Sequence, residues 1–236
     1  MSKFKKKFPP QRELCSVGIY SIVGSAPYES GVRKNSMIAV VDYQAGNLYN
    51  VGHALRYLKE DFIFSGDPEV VEKADKVILP GVGSAQAAMD SLTEQGLVEV
   101  LQSLEVPFLG ICLGLQLLFE ISEEDQTPCL GIFPGRVKKF NKSRVKVPHI
   151  GWNQVRKQNG NFGAMTLFND IPDESFFYFV HSYFAPLVDQ AEITTTEYDE
   201  VFVSAVVQGN YCGVQFHPER SGQVGLQLLK NFVKGN

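Results

Sequence analysis

"FLGICLGLQLLFE" (residues 108–120) places one cysteine, Cys112, between two glycines where an apolar run meets a helix-forming run. The apolar half reads as a buried strand and residues 113–120 as a helix. A G-x-nucleophile-x-G sequence between a strand and a helix has the form of a nucleophile elbow. Such a turn forces its central residue into a strained backbone region. Gly110 and Gly114 leave room for it, because a Cβ at either position would collide with the neighbouring strand or helix. The thiol then stands at a helix N-terminus, where free N–H groups and the dipole favour thiolate. Leu113 can offer its backbone N–H to an oxyanion. The same stretch also suits a cysteine that is simply core.

Working outward, the strand–helix alternation continues on both sides. "MIAVVD" (residues 37–42) is a buried strand, and "NLYNVGHALRYLK" sets Leu48, Val51, Leu55 and Leu58 at helical spacing. "KVILPG" reads as a second buried strand, followed by helical stretches over residues 85–91 and 97–104. Buried strands alternating with helices predict a mostly parallel sheet covered on both faces. Later segments, "RVKKF", "FFYFVHSYF", "EITTTEY", "VFVSAVVQ" and "YCGVQF", are β-rich, and "SGQVGLQLLKNFVK" closes as a helix. The expected fold is one α/β domain with added antiparallel strands.

The 236-residue chain, 44% hydrophobic and 20% charged, is too apolar for disorder and suits an ordinary globular protein. No apolar run approaches the roughly 20 residues of a membrane span, and residues 17–23 are short for a signal sequence. The reading is a cytosolic protein with no membrane partner. Cys15, Cys112, Cys129 and Cys212 form no CxxC pair, so neither a zinc ribbon nor a disulfide scaffold is suggested and reduced thiols are expected. Residues 1–36 carry seven Lys/Arg against two Asp/Glu, a formal +5, whereas the remainder carries 15 against 24, a formal −9. This basic leader has little periodicity. It fits a disordered arm, a targeting peptide, or sequence upstream of a start at Met37, and a targeting peptide would be more Arg-rich and more evenly amphipathic. The expected division is a leader over 1–36 and a folded domain over 37–236. The folded part is acidic, so nucleic acid is not an expected partner.

A nucleophile needs a base, and the base an orienting group. "GVQFHPERS" supplies His217 and Glu219 two residues apart after an apolar strand. In extended chain such a pair faces one side, and Pro218 favours extended geometry over helix. Glu219 can then take the His217 ring N–H, as the acidic member of a triad does. His53 falls in the first amphipathic helix, at its surface or boundary. His149 and His181 precede aromatic, turn-rich sequence and either line a site or satisfy a backbone carbonyl. Neither has a carboxylate at triad spacing, and no His/Cys/Asp cluster has metal-ligand spacing.

Cys112 in "GICLGLQLL" with His217 and Glu219 in "HPE" resembles the triad of class I glutamine amidotransferases. "DYQAGNLYNV", "LPGVGSAQAAM", "PHIGWN", "YFVHSYF" and "TTTEY" together resemble the glutaminase subunits of imidazole glycerol phosphate synthases, from Met37 to the C-terminal helix. The resemblance implies a flavodoxin-like amidotransferase fold and hydrolysis of glutamine without metal or cofactor. Cys112 would form a glutamyl thioester while His217 shuttles protons. Leu113 and the Gly81–Val82 region of "PGVG" would hold the oxyanion, with Gly81 and Gly83 allowing a peptide there to flip. Gln116 would contact glutamine, and the backbone of His181, Ser182 and Tyr183 would bind its α-amino and carboxylate ends. Ammonia would pass to a separate (β/α)8 cyclase subunit, since this chain lacks the length and eightfold βα pattern for that barrel. Asn47, Asn50, Trp152 and Tyr178 fall at the implied interface. Liganded cyclase would stimulate glutamine hydrolysis. After Glu219 the family commonly has Lys where this chain has Arg220, a planar fork in place of a point charge.

Other readings place the chain in anthranilate, GMP or pyridoxal phosphate synthesis, against which "PGVG" and "PHIGWN" argue. A noncatalytic subunit retaining the fold, or a stand-alone thiol hydrolase, would differ in its dependence on Cys112 or on a partner.

Overall fold

Residues 36–44, 48–158, 166–189 and 191–235 are described by a computed structural model. The first thirty-five residues of the leader, and Asn47, lie outside the described residues. A nine-stranded sheet runs, in spatial order, β2 (Phe62–Ser65), β1 (Ile38–Val41), β3 (Lys76–Gly81), β4 (Phe108–Cys112), β13 (Tyr211–Val214), β12 (Glu200–Gln208), β11 (Glu192–Tyr198), β8 (His149–Lys157) and β9 (Ser175–His181). Neighbours from β2 through β13 pair in parallel, and the strands beyond pair antiparallel. A second sheet orders β10 (Tyr183–Phe184), β7 (Phe133–Lys139), β5 (Phe119–Ser122) and β6 (Thr127–Pro128).

The parallel strands read as unbroken apolar runs because both faces are covered. Ala39 and Val41 of β1 join one core cluster with Val77 and Leu79, while Ile38 and Val40 join another with Ile78 and Leu109. Helix α3 (Ala85–Glu94) packs Ala88 and Leu92 into the first cluster, and α6 (Gly222–Lys234) packs Leu228, Leu229 and Phe232 into the second. Helices α1 (Leu48–Leu58), α2 (Pro68–Glu72) and α4 (Val98–Gln102) complete the two outer layers. The expected α/β architecture is present.

Three local expectations are corrected. The helix after Cys112 is only α5 (Leu113–Gln116), one turn long, and Phe119 already begins β5. Leu117, Leu118 and Phe119 are all buried, so no polar face exists to prolong an amphipathic helix, and Phe119 pairs with Phe133 instead. "PHIGWN" is no turn: its last five residues lie in the nine-residue strand β8, which bears Gly151 at φ 143°. Pro218 does not keep the chain extended through Glu219. It opens a 3₁₀ turn over Pro218–Arg220, a position where its missing N–H costs nothing.

Candidate active site

Cys112 ends β4 at φ 56° and ψ −105°, a strained conformation for a non-glycine residue. The glycines around it are required by contact. A Cβ on Gly114 would lie 2.0 Å from the Leu79 carbonyl oxygen, and one on Gly110 would lie 2.5 Å from the Gly114 carbonyl oxygen. The elbow therefore depends on strand β3 lying directly beneath it.

The sulfur opens onto a cleft of about 350 Å³ lined by residues that include Val82, Leu113, Gln116, His181, Tyr183 and His217. Gln215 Nε2 donates to Sγ at 3.7 Å, and Sγ lies 3.8 Å from the Val180 carbonyl oxygen. His217 Nδ1 stands 2.9 Å from Glu219 Oε1, while Nε2 is buried with no formed hydrogen bond. Burial, the largest single influence, pulls the imidazolium down. The thiolate charge and hydrogen-bonding capacity of Cys112, together with the Glu219 carboxylate, outweigh it and push His217 up to about 10. Burial pushes the other described thiols up, Cys129 to about 11 and Cys212 to about 12, which disfavours either as a nucleophile at neutral pH.

The loop after β3 faces Cys112 from the other side of the cleft mouth. Gly81 pairs with Cys112 in the β3–β4 register, and its missing Cβ makes space for Leu113 Cβ and the Gly114 nitrogen, which would stand 2.6 and 2.7 Å away. Close packing, rather than backbone freedom, is what Gly81 supplies. The freedom sits at Gly83, with φ 98° and open space around its Cα. Tyr43 Oη donates to the Pro80 carbonyl at 2.9 Å before the loop, and Glu124 Oε2 accepts from the Ala85 N–H at 2.7 Å after it. Val82 and Gly83 are thus exposed between two anchored ends.

Gln116 Nε2 donates to the Tyr183 carbonyl at 2.8 Å and to Gln215 Oε1 at 3.1 Å. This leaves its Oε1 as the group to present to a ligand. His181, Ser182 and Tyr183 line the cleft, whereas His149 lies behind it, bonded to His181. His53 is exposed on α1. Trp152 is 55% exposed and meets Tyr178 edge-on at 6.0 Å, and the Arg220 guanidinium lies 4.7 Å from the Tyr178 ring centroid. Asn50 lies on α1 and is half-buried. Among the described residues no group of His, Cys, Asp and Glu could hold a metal ion, and no helix is long and apolar enough to cross a membrane.

Sequence reasoning missed Tyr43, Glu124 and Gln215. Gln215 precedes His217 by two residues in the same strand-end run, the spacing that singled out Glu219, and so was open to the same argument. Glu124 carried no such signal, because only the β5–β6 turn brings it into the cleft.

An elbow thiol and a histidine–carboxylate pair lining one cleft have the chemistry that acyl transfer requires. Residues 39–235 match the family model described as glutamine amidotransferase class-I, and the chain belongs to that family. Its relatives narrow this further. It is 45% identical over 201 residues to "Imidazole glycerol phosphate synthase subunit HisH" of Bacillus thuringiensis subsp. konkukian, covering 83% of this chain and 93% of that one. The Bacillus cereus ATCC 14579 protein of the same name is 44% identical over 200 residues, with the same coverage. Among solved structures, a putative GMP synthase subunit from Thermoplasma acidophilum aligns at TM-score 0.64 and 20% identity over 86% of this chain and 94% of that one. PurLQS from Thermotoga maritima aligns at 0.62 and 19%, over 84% and 97%. These two likenesses are of fold.

Proposed function

We propose that the chain is the glutaminase subunit of an imidazole glycerol phosphate synthase, hydrolysing glutamine at Cys112 and delivering ammonia to a separate (β/α)8 cyclase subunit. The observation that carries the reading is the strained Cys112 elbow, faced across one cleft by the buried His217–Glu219 pair. Its 45% identity to HisH proteins supports the particular pathway.

The chemistry follows from the charges. Cys112 and Glu219 hold the His217 proton well above neutral pH, so the ring is the acid beside a nucleophile that attacks as thiolate. Sγ attacks the carboxamide carbon of glutamine and the carbonyl π pair moves to oxygen, where the Leu113 and Val82 N–H groups are the candidate donors. Forming the C–S bond removes the sulfur charge that held the His217 proton. That proton passes to the departing nitrogen, and the C–N bond breaks to release ammonia and leave a thioester. Neutral His217 then takes a proton from water as its oxygen attacks the thioester, and the sulfur leaves to restore the pair with glutamate as product. Glu124 is the cleft carboxylate suited to the α-ammonium of glutamine, and Arg220 lies at the same cleft.

Exposed Trp152 and Arg220 with half-buried Tyr178 between them support a docking face beside the site for the cyclase, to which Asn50 on α1 is assigned; Asn47 belongs to it by family resemblance alone. The anchored yet open Val82–Gly83 segment supports coupling, because a partner that turns one peptide there would complete the oxyanion site. The test is glutamate release by the chain alone, with a cyclase subunit, and with that subunit plus its ribonucleotide ligand. Low activity that rises strongly only in the liganded complex is expected. Full activity alone would indicate an independent amidase, and none under any condition from folded protein would leave a noncatalytic subunit.

A further inference from the structure

Behind the cleft, hydrogen bonds run without a break from Asn153 on β8 to the Cys112 sulfur. One acceptor fixes their direction. The Tyr183 carbonyl cannot donate, so His181 Nδ1, 2.7 Å away, carries the proton and Nε2 must accept. His149 Nδ1, at 3.0 Å, is therefore the donor to His181. His149 Nε2 is left to accept from the Asn153 amide at 3.4 Å, and that amide also donates to the Glu197 carbonyl at 3.0 Å.

From the other side, Gln116 Nε2 donates to the same Tyr183 carbonyl and to Gln215 Oε1. The opposite orientation of Gln116 would set two acceptors against each other. Gln215 is fully buried, and with Oε1 occupied its Nε2 is turned to the sulfur at 3.7 Å. Burial pushes His149 down to about 4 and His181 to about 3, so both rings stay neutral and the polarity of the chain is constant around neutral pH.

We propose that His149 is a positioning residue for the nucleophile: by donating to His181 it fixes the Tyr183 carbonyl, the Gln116 amide and, through Gln215, the N–H that meets Cys112. The proposal deepens the glutaminase reading and rests on it for its consequence in turnover. It also makes β8 mechanically relevant, since Ile150 and Trp152 on that strand are 57% and 55% exposed while His149 beside them holds the cleft from within.

His149 is stacked on Tyr198 at 3.9 Å and on Phe179 at 5.2 Å between ring centroids, so phenylalanine replaces its ring and removes only its hydrogen bonds. The full chain is compared with His149→Phe, His149→Asn and His149→Gln, measuring iodoacetamide alkylation of the Cys112 peptide by mass spectrometry and, with the cyclase, kcat and KM for glutamine. His149→Phe should slow alkylation by about tenfold, the worth of one misplaced hydrogen bond, and lower kcat more than it raises KM. His149→Asn should recover most of the rate, because its amide nitrogen stands where Nδ1 stood. His149→Gln should not, since its amide reaches the Nε2 position. Parent-like alkylation in folded His149→Phe, or equal rates in the Asn and Gln variants, would overturn the proposal. If the Phe variant does not fold, the Asn–Gln difference decides alone. Alkylation uses neither glutamine nor partner, so failure of the relay and failure of the glutaminase reading give different results.

Discussion

His217 Nδ1 and Glu219 Oε1 stand 2.9 Å apart, with their side chains 5% and 1% exposed, across a single proline. At that burial the carboxylate is tolerable only because it accepts a proton-bearing ring nitrogen. It also dictates which nitrogen of His217 faces Cys112. Glu219→Gln keeps the shape but permits the wrong tautomer. It should lower kcat for glutamine by roughly 10³–10⁴-fold with KM little changed, as read by steady-state glutamate release.

The charge state of His217 has its own test. Cys112 and Glu219 raise its proton affinity against burial, which lowers it, giving a value of about 10. Removing the sulfur in Cys112→Ala deletes one of the two supporting partners while burial remains. The ring should therefore titrate at markedly lower pH in the variant than in the parent, followed by imidazole NMR shifts. His149 and His181 should show no titration near neutrality in either protein. A His217 resonance that titrates at the same pH in both would separate the histidine from the nucleophile.

The elbow was legible from a cysteine set between two glycines where a strand meets a helix, and the histidine–carboxylate pair from its i, i+2 spacing taken with that elbow, although the two side chains meet through a 3₁₀ turn and not along extended chain. The surrounding structure was less so. Leu117, Leu118 and Phe119 are apolar on every side, so periodicity could not tell a continuing helix from the turn into β5 that the fold adopts. The sequence after His149 read as turn-rich, yet it continues as β8, with Gly151 at φ 143° within the strand. Tyr43 and Glu124 act on a loop 37 to 39 residues away in sequence, and contacts at that separation have no local signature.

Gly114 and Gly83 make opposite predictions from one substitution. At Gly114 an added Cβ meets the Leu79 carbonyl oxygen at 2.0 Å, so Gly114→Ala should cost about 2–3 kcal/mol and lower Tm by roughly 5–10 °C. At Gly83 nothing lies within 4 Å, and only the φ of 98° is unfavourable. Gly83→Ala should cost about 1 kcal/mol while reducing the stimulation of glutamine hydrolysis by liganded cyclase. Thermal melts and coupled assays on both variants separate packing from loop freedom. Equal Tm losses would contradict the distinction.

The anchor ahead of that loop is Tyr43, buried with its hydroxyl 2.9 Å from the Pro80 carbonyl. Burial, then the nearby Cys112 charge, pushes the phenol above its ordinary range, so it remains a donor around neutral pH. Tyr43→Phe removes one buried hydrogen bond and should cost about 1–2 kcal/mol in urea unfolding. Its effect on partner-stimulated kcat should exceed its effect on KM, because the loop it anchors carries a candidate oxyanion donor and no group assigned to bind glutamine. A change in KM alone would move Tyr43 from the oxyanion loop to the binding of substrate.

Trp152 gives the sharpest test of the docking face. More than half of this large residue is solvent-exposed, on a strand that buries His149 and Val155, and it leans on Tyr178, which in turn lies beneath the Arg220 guanidinium. An exposed aromatic contributes little to the stability of the free chain but supplies a large rigid contact when a partner covers it. Trp152→Ala should therefore weaken binding to the cyclase by about 2 kcal/mol, roughly thirtyfold in Kd by titration calorimetry, with little change in Tm. Arg220→Lys keeps the charge but loses the planar stack on Tyr178, so its Kd should rise by less than that of Trp152→Ala. An unchanged Kd in both variants would move the interface off this face and leave the aromatic group without its assigned role.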